Sequence, residues 1–148
     1  MYTVRHLLQG KGNQVWTVTP QTTVYEALQL MATKNCGAVV VVDGARVAGI
    51  FTERDYSRKV VLQGRTSKTT AVGELMTTEV LYINPDVTME ECMALMTQKR
   101  TRHLPVLEHD QLAGLVSIGD VVKAVISDRE FTIRELERYI TGGHSSMD

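Results

Sequence analysis

Two tetrapeptides in this chain set a hydroxyl three residues ahead of a carboxylate: Thr52-Glu53-Arg54-Asp55 and Ser117-Ile118-Gly119-Asp120. Each follows an apolar run and opens a segment with helical spacing, so each falls where a buried strand turns into a helix. A helix N-terminus offers free N–H groups and the positive end of a dipole, which suits phosphate. The hydroxyl adds a phosphate contact, and a carboxylate one turn in can accept both hydroxyls of a ribose. The same tetrapeptide also works as a plain helix-capping box, and one copy alone would imply no more than that. Two copies, at a fixed offset and after matching strands, favour the binding chemistry.

A second cluster, Arg102-His103-Leu104-Pro105, stands at the mouth of an apolar strand whose counterpart is Gly37-Ala38-Val39-Val40. One copy is small and flat there, and the other is basic. Gly37 and Ala38 would let an aromatic base approach the backbone, while Arg102 and His103 could reach a phosphate. The plainer reading is a surface arginine and a satisfied histidine. Pro105 has no N–H, so its strand cannot be fully laddered at that point.

The elements that must position these groups are written twice. Val15–Val61, shifted by 65, lies on Val80–Ile126 without a gap. The identical pairs are Val15/Val80, Pro20/Pro85, Thr23/Thr88, Glu26/Glu91, Leu30/Leu95, Met31/Met96, Lys34/Lys99, Val41/Val106, Ala48/Ala113, Gly49/Gly114, Asp55/Asp120 and Val60/Val125. Each copy reads strand, helix, strand, strand, helix. Val15–Val18 is a short β-prone run, and the capping box Thr23-x-x-Glu26 opens a helix that ends near Asn35–Gly37. Ala38–Val42 reads as a strand buried on both faces, Asp43-Gly44 as a hairpin turn and Val47–Phe51 as the return strand, after which a helix runs to about Leu62. The second copy repeats this with Thr88-x-x-Glu91, Leu104–Leu107, a turn over Glu108–Gln111, and Leu112–Ser117. One copy is marginal as a core, so the two should pack together and enclose two equivalent clefts. Gln63–Ala71 is a polar connector. Asp128–Ile140 extends a helical stripe through Val122, Val125, Ile126, Arg129, Ile133, Leu136 and Ile140 that needs either its own core or a second chain. Thr141–Asp148 reads as a frayed end.

Composition narrows the function classes. Aromatic residues make up 5% and the formal net charge is −1, which argues against a stacking platform for single strands and against a duplex-binding surface. No apolar run reaches the ~20 residues of a membrane helix. Met1–His6 lacks the apolar core of a secretory leader, which points to the cytosol. Cys36 and Cys92 occupy different places in the two copies and read as small core side chains. Serine-nucleophile, zinc-protease, CxxC and phosphate-loop signatures are absent from the sequence, and His6, His103, His109 and His144 do not stand at metal-ligand spacing.

The duplicated pattern resembles a CBS-domain pair, the Bateman module, over Val15–Ile126. Thr52–Lys59, Gln63–Lys68, Val72–Thr77, Arg102–Val106 and Val116–Val122 are similar to the stand-alone CBS-pair proteins of bacteria and their plant mitochondrial relatives. The resemblance implies an α/β (α+β) fold of two tandem β-α-β-β-α repeats related by a pseudo-twofold axis, plus a C-terminal helix. The units would be residues 1–71 (first repeat with N-terminal segment and linker), 72–127 (second repeat) and 128–148 (helix and tail). It further implies an adenosyl ligand held between the repeats: AMP first, with NAD(H), ATP or S-adenosylmethionine as candidates, and no metal requirement. Asp55 and Asp120 would hold ribose, and Thr52 and Ser117 phosphate. Cys36, Gly37, Ala38, Arg102, His103, Leu104 and Pro105 would frame the base or phosphate, with Ile118 and Gly119 completing the second turn. Thr22 can hydrogen-bond where its counterpart Val87 cannot, so the two clefts should differ; Thr22 would serve the cleft of Ser117 and Asp120, the stronger one. Arg54, Arg65 and Lys68 would serve a polyphosphate or dinucleotide tail. The resemblance implies a homodimeric regulatory sensor acting on a partner protein or on its own assembly, with no catalytic residues, no nucleic acid and no membrane. A non-binding dimerisation scaffold is the competing reading.

Overall fold

The computed structural model describes residues 2–140 and shows both repeats at the expected offset. In the first, β1 (Thr17–Val18) runs parallel to β2 (Ala38–Asp43), which pairs antiparallel with β3 (Arg46–Thr52). In the second, β4 (His103–Glu108) and β5 (Gln111–Ser117) form the matching hairpin. Ala38 pairs with Thr52 and His103 with Ser117, and the register slips at Val41/Val42 in one and Val106/Leu107 in the other. Helices α2 (Val24–Lys34) and α5 (Met89–Lys99) both begin with the predicted capping box and both end on a left-handed residue, Asn35 and Arg100. The reciprocal bonds of Thr23 with Glu26 and of Thr88 with Glu91 satisfy orphan helix donors. Val39, Val41 and Phe51 fill one core; Leu104, Val106 and Val116 fill the other.

The copies differ at their first strand, and Pro105 is the cause. In the first repeat the Val40 N–H donates to the Trp16 carbonyl at 3.1 Å. Val40 corresponds to Pro105, which has no hydrogen to give. The strand expected around Val80–Ile83 therefore shrinks to a single parallel bridge between Ile83 and Val106. The Ile83 N–H still donates to the Pro105 carbonyl and the Leu107 N–H to the Ile83 carbonyl, so the position of Ile83 is kept while the ladder around it is lost.

Ahead of each repeat runs a short leader, and each leader docks on the other repeat. Helix α1 (Val4–Lys11) buries Val4 and Leu7 in the core of the second repeat, with Ile83, Met89 and Val106. A short α4 (Val72–Leu75) buries Val72 and Leu75 in the core of the first, with Val24, Met31 and Phe51. The backbone bonds match. The Val4 N–H donates to Val87 O and the Arg5 N–H to Pro85 O, while the Val72 N–H donates to Thr22 O and the Gly73 N–H to Pro20 O. Each repeat thus closes its core with a segment that precedes its twin.

The helices after the hairpins diverge. In the first repeat α3 (Glu53–Asp55) opens into a π-helical turn over Tyr56–Val61, where the Leu62 N–H reaches Ser57 O and the Arg65 N–H reaches Val60 O. In the second, α6 is one helix from Ile118 to Ile140. Its early residues Val121 and Val125 pack on the core, whereas Val122, Ile126, Ile133, Leu136 and Ile140 are exposed. This chain's own core does not cover that stripe. The Arg129 side chain and Thr141–Asp148 lie outside the described residues. Cys92 is buried in the second core, where burial pushes its thiol up to about 11; Cys36 packs at the edge of the first core, its thiol also raised by burial. Both are thus poor nucleophiles.

Candidate functional site

Both hydroxyl–carboxylate boxes form as helix caps. The Asp55 N–H donates to Thr52 Oγ1 at 3.1 Å, and the Thr52 N–H donates to Asp55 Oδ2 at 3.0 Å. The Asp120 N–H donates to Ser117 Oγ at 3.2 Å, and the Ser117 N–H donates to Asp120 Oδ2 at 2.9 Å. What surrounds the two carboxylates differs sharply.

Asp55 is buried, with 7% of its surface exposed, and its oxygens are committed. Oδ2 also accepts the Thr52 hydroxyl. Oδ1 accepts the Thr77 hydroxyl at 3.1 Å and lies 3.1 Å from the Lys59 ammonium, which donates in turn to the Leu75 carbonyl. Leu75 and Thr77 belong to the docked leader, so Asp55 holds that leader to the first repeat.

Asp120 is more open, its side chain 20% exposed. Oδ2 accepts the Ser117 N–H and the Lys11 ammonium, the latter at 2.7 Å, and Lys11 also donates to the Leu115 carbonyl at 3.0 Å. Among the described residues no hydrogen bond reaches Oδ1, and the Ser117 hydroxyl lies beside the carboxylate that it helps to stabilise. Burial pushes the Asp120 carboxyl up, but Lys11 and the Ser117 bonds outweigh it and hold the group below its usual range. The second cleft therefore presents an ionised carboxylate with one oxygen unoccupied and a hydroxyl beside it, acceptor and donor groups of the kind a ribose phosphate uses.

The flat and basic wall lies alongside. A Cβ on Gly37 would stand 3.0 Å from Glu53 Oε1 and 3.8 Å from His103 Cε1 and Nε2, so the imidazole lies over Gly37 across the junction of the repeats. Burial lowers the His103 pKa; Asp120 opposes this, and Lys11 and Arg102 reinforce it. His103 is thus neutral at neutral pH, a hydrogen-bonding ring rather than the cation a phosphate would want. Arg102 and Arg54 are exposed, and Arg54 Nη1 donates to the Arg100 carbonyl at 3.4 Å, joining the repeats a second time. Ala38, Leu104 and Pro105 are buried strand residues, Ile118 packs on the second core, and Gly119 is exposed beside Ser117 Oγ. Thr22 is half-buried and shares hydrogen bonds with Thr19; among the described residues nothing bonds it to Ser117 or Asp120. Arg65 pairs with Glu74, and Lys68 lies over the Tyr25 ring, so both tail candidates are engaged elsewhere. Two surface hollows of about 650 and 490 Å³, one beside α1, α5 and α6 and one between the hairpin turns, include none of the box residues.

The residues missed from sequence are Lys11, Glu53, Lys59 and Thr77. For the leaders that carry Lys11 and Thr77 the available signal was a second, shorter repeat, since Val4/Val72 and Leu7/Leu75 recur at an offset of 68 rather than 65; Glu53 and Lys59 had no such signal.

With this geometry established, relatives identify the frame. The profile of the CBS domain matches residues 12–61 and 72–127. The chain belongs to the CBS-domain family. The CBS domain-containing protein CBSX3, mitochondrial, of Arabidopsis thaliana is 41% identical over 152 residues, 96% of this chain and 73% of that protein. The Bacillus subtilis protein YhcV is 39% identical over 73% of this chain and 76% of its own. A solved CBS-domain protein from Burkholderia ambifaria superposes with a TM-score of 0.83 at 56% identity, covering 85% of this chain and 95% of that one. The fold is accordingly a CBS pair: tandem repeats with a C-terminal helix, as the pattern implied. CBS pairs are generally regulatory modules that bind adenosine ligands. Among the described residues no helix of this CBS pair is long and apolar enough to cross a membrane, and no cluster of His, Cys, Asp and Glu could hold a metal ion.

Proposed function

We propose that this CBS pair is a regulatory sensor of an adenosyl ligand, AMP in the first place, and that the ligand sits in the cleft of Ser117 and Asp120. The observation that carries the reading is the half-open Asp120 carboxylate, with Oδ1 unoccupied among the described residues and the Ser117 hydroxyl beside it. Asp120 takes the ribose hydroxyls, while Ser117 and the Gly119 N–H take phosphate, the N–H groups of Ile118 and Asp120 being bonded to the Arg102 carbonyl and to Ser117 Oγ. Arg102 and Arg54 extend the basic wall for a longer phosphate chain, as in ATP or NAD(H). The strand mouth at Cys36, Gly37, Ala38 and Leu104 frames the base with its backbone, and the neutral His103 ring lines it. Thr22 enters this cleft once a ligand draws its hydroxyl from Thr19. The equivalent cleft at Thr52 and Asp55 is the weaker one, because Thr77 and Lys59 already fill its carboxylate. The protein is not an enzyme on this reading, needs no metal, and works in the cytoplasm through a protein partner or its own assembly.

Titration calorimetry with AMP, ATP, NAD⁺, NADH and S-adenosylmethionine on nucleotide-free protein tests this. One ligand is expected to bind in the micromolar range with one site per chain. Absence of heat with all five would replace the sensor by the scaffold reading.

Assembly is the second part of the proposal. Ile126, Ile133, Leu136 and Ile140 form an uncovered stripe along α6, and Val61, the counterpart of Ile126, is exposed as well. A stripe of this kind suits a second copy of the chain. Leu136→Asp is expected to convert a dimer to a monomer by sedimentation while leaving the ligand affinity within about twofold; an unchanged dimer would move the interface off α6.

A further inference from the structure

We propose that Lys11 is a built-in competitor for the Asp120 subsite, and that a ligand acts on the rest of the molecule by displacing it and loosening the end of α1. The inference rests on the nucleotide reading above. A vicinal diol engages a carboxylate best through both of its oxygens, but Asp120 Oδ2 already accepts two donors. One, the Ser117 N–H, is backbone at a helix start and stays. The other is the Lys11 ammonium on a flexible four-carbon stem, its side chain 36% exposed, so it is the group that leaves.

What Lys11 holds is specific. It is the last residue of α1, and its two bonds, to Asp120 and to the Leu115 carbonyl, tie that end of the helix to β5 and α6. The other end is held independently. There Val4 and Leu7 are buried, the N–H groups of Val4 and Arg5 donate to repeat-two carbonyls, and Arg5 pairs with Asp86 and Glu108. The Lys11 end has little else. Gly10 and Gly12 have open space around them, glycine is a poor helix former, and Leu8 rests on Gly114 through the tip of its side chain. Releasing Lys11 therefore frees the last turn of α1 and not its first. That turn leads within a few residues into β1, so an event at the second repeat's carboxylate reaches the first repeat's edge strand. The first cleft has no such device: its leader supplies the neutral hydroxyl of Thr77, and its cation, Lys59, is anchored on its own helix.

Calorimetry with the five-ligand panel on wild type, Lys11→Met and Lys11→Arg, combined with amide exchange over residues 4–12, tests the proposal. Lys11→Met is expected to bind the ligand about two- to fivefold more tightly than wild type, a gain of the size of one partly exposed ion pair, and Lys11→Arg to stay near wild type. Saturating ligand is expected to speed exchange at Gly12, whose N–H donates to the Leu8 carbonyl, and to leave Val4 and Arg5 unchanged. Asp120→Ala without ligand should speed the same amide. Equal or weaker binding by Lys11→Met would overturn the proposal while leaving the sensor intact; weaker binding would make Lys11 a phosphate contact. Unchanged exchange at Gly12 in Asp120→Ala would overturn the role of the pair in holding α1. No binding by wild type or by Lys11→Met would overturn the sensor reading, and the competitor role with it.

Discussion

Asp120→Ala is expected to weaken binding of the adenosyl ligand by about a hundredfold or more, whereas Asp55→Ala leaves affinity nearly unchanged and lowers stability instead. The two carboxylates are the same residue at the same place in two copies, so the contrast comes from their neighbours. At Asp120 two hydroxyl-to-carboxylate bonds are at stake, each worth about 1.5–3 kcal/mol when the acceptor is ionised, which gives about two to four powers of ten. The loss of the Lys11 pair costs the fold little, since the pair is partly exposed. At Asp55 the substitution strands the Thr77 hydroxyl and the Lys59 ammonium and removes the carboxylate half of the capping box with Thr52. Breaking a buried pair costs about 3–5 kcal/mol. Lys59 is 37% exposed and can turn to water, so about 2–4 kcal/mol is expected with the reciprocal capping bond included. Calorimetry and urea unfolding on the two variants separate these outcomes. Affinity lost in Asp55→Ala and kept in Asp120→Ala would move the site to the first cleft.

The second large effect concerns Gly49 and Gly114, again an identical pair with unequal surroundings. A Cβ at Gly49 would stand 2.6 Å from the Thr77 carbonyl oxygen and 2.9 Å from Met76 Sδ. Ile50 and Thr77 exchange both backbone bonds there, so the obstacle is backbone fixed on both sides. A Cβ at Gly114 would first meet the flexible Leu8 side chain, its terminal carbons at 2.7 and 2.9 Å. Overpacking costs about 1–3 kcal/mol and more where nothing yields. Gly49→Ala is therefore expected to lose about 3 kcal/mol or more and Gly114→Ala about 1 kcal/mol, read as urea midpoints at unchanged slope. Equal losses would show that the Leu8 contact is as rigid as the Ile50–Thr77 bridge.

The elements that were legible from the chain are those whose signals are local. Capping boxes at Thr23 and Thr88, hairpins around Gly44 and Asp110, and the buried strands each depend on neighbours within a few residues. Their recurrence at one offset supplied the pairing of the copies and the place of the Thr52 and Ser117 boxes. Pro105 announced a break in its own ladder, but not that the partner strand would shrink to Ile83 alone. The groups that distinguish the two clefts could not be read, because Lys11 and Thr77 reach their carboxylates from segments distant in sequence or outside the aligned repeat. The similar spacing of Val4, Leu7 and Val72, Leu75 is too short a pattern to stand out, and its different offset hides it from the longer one. His103 looked like a phosphate ligand by type, yet its burial over Gly37 makes it neutral.

The crossed leaders make the two halves interdependent. Neither half, leader and repeat together, closes its own core, because each leader is buried in the opposite one. Separated halves would have to exchange leaders to regain both cores. Within one chain that exchange is unimolecular. The two leaders are also free to differ, one supplying a hydroxyl and the other an ammonium, which no symmetric dimer of identical halves could do.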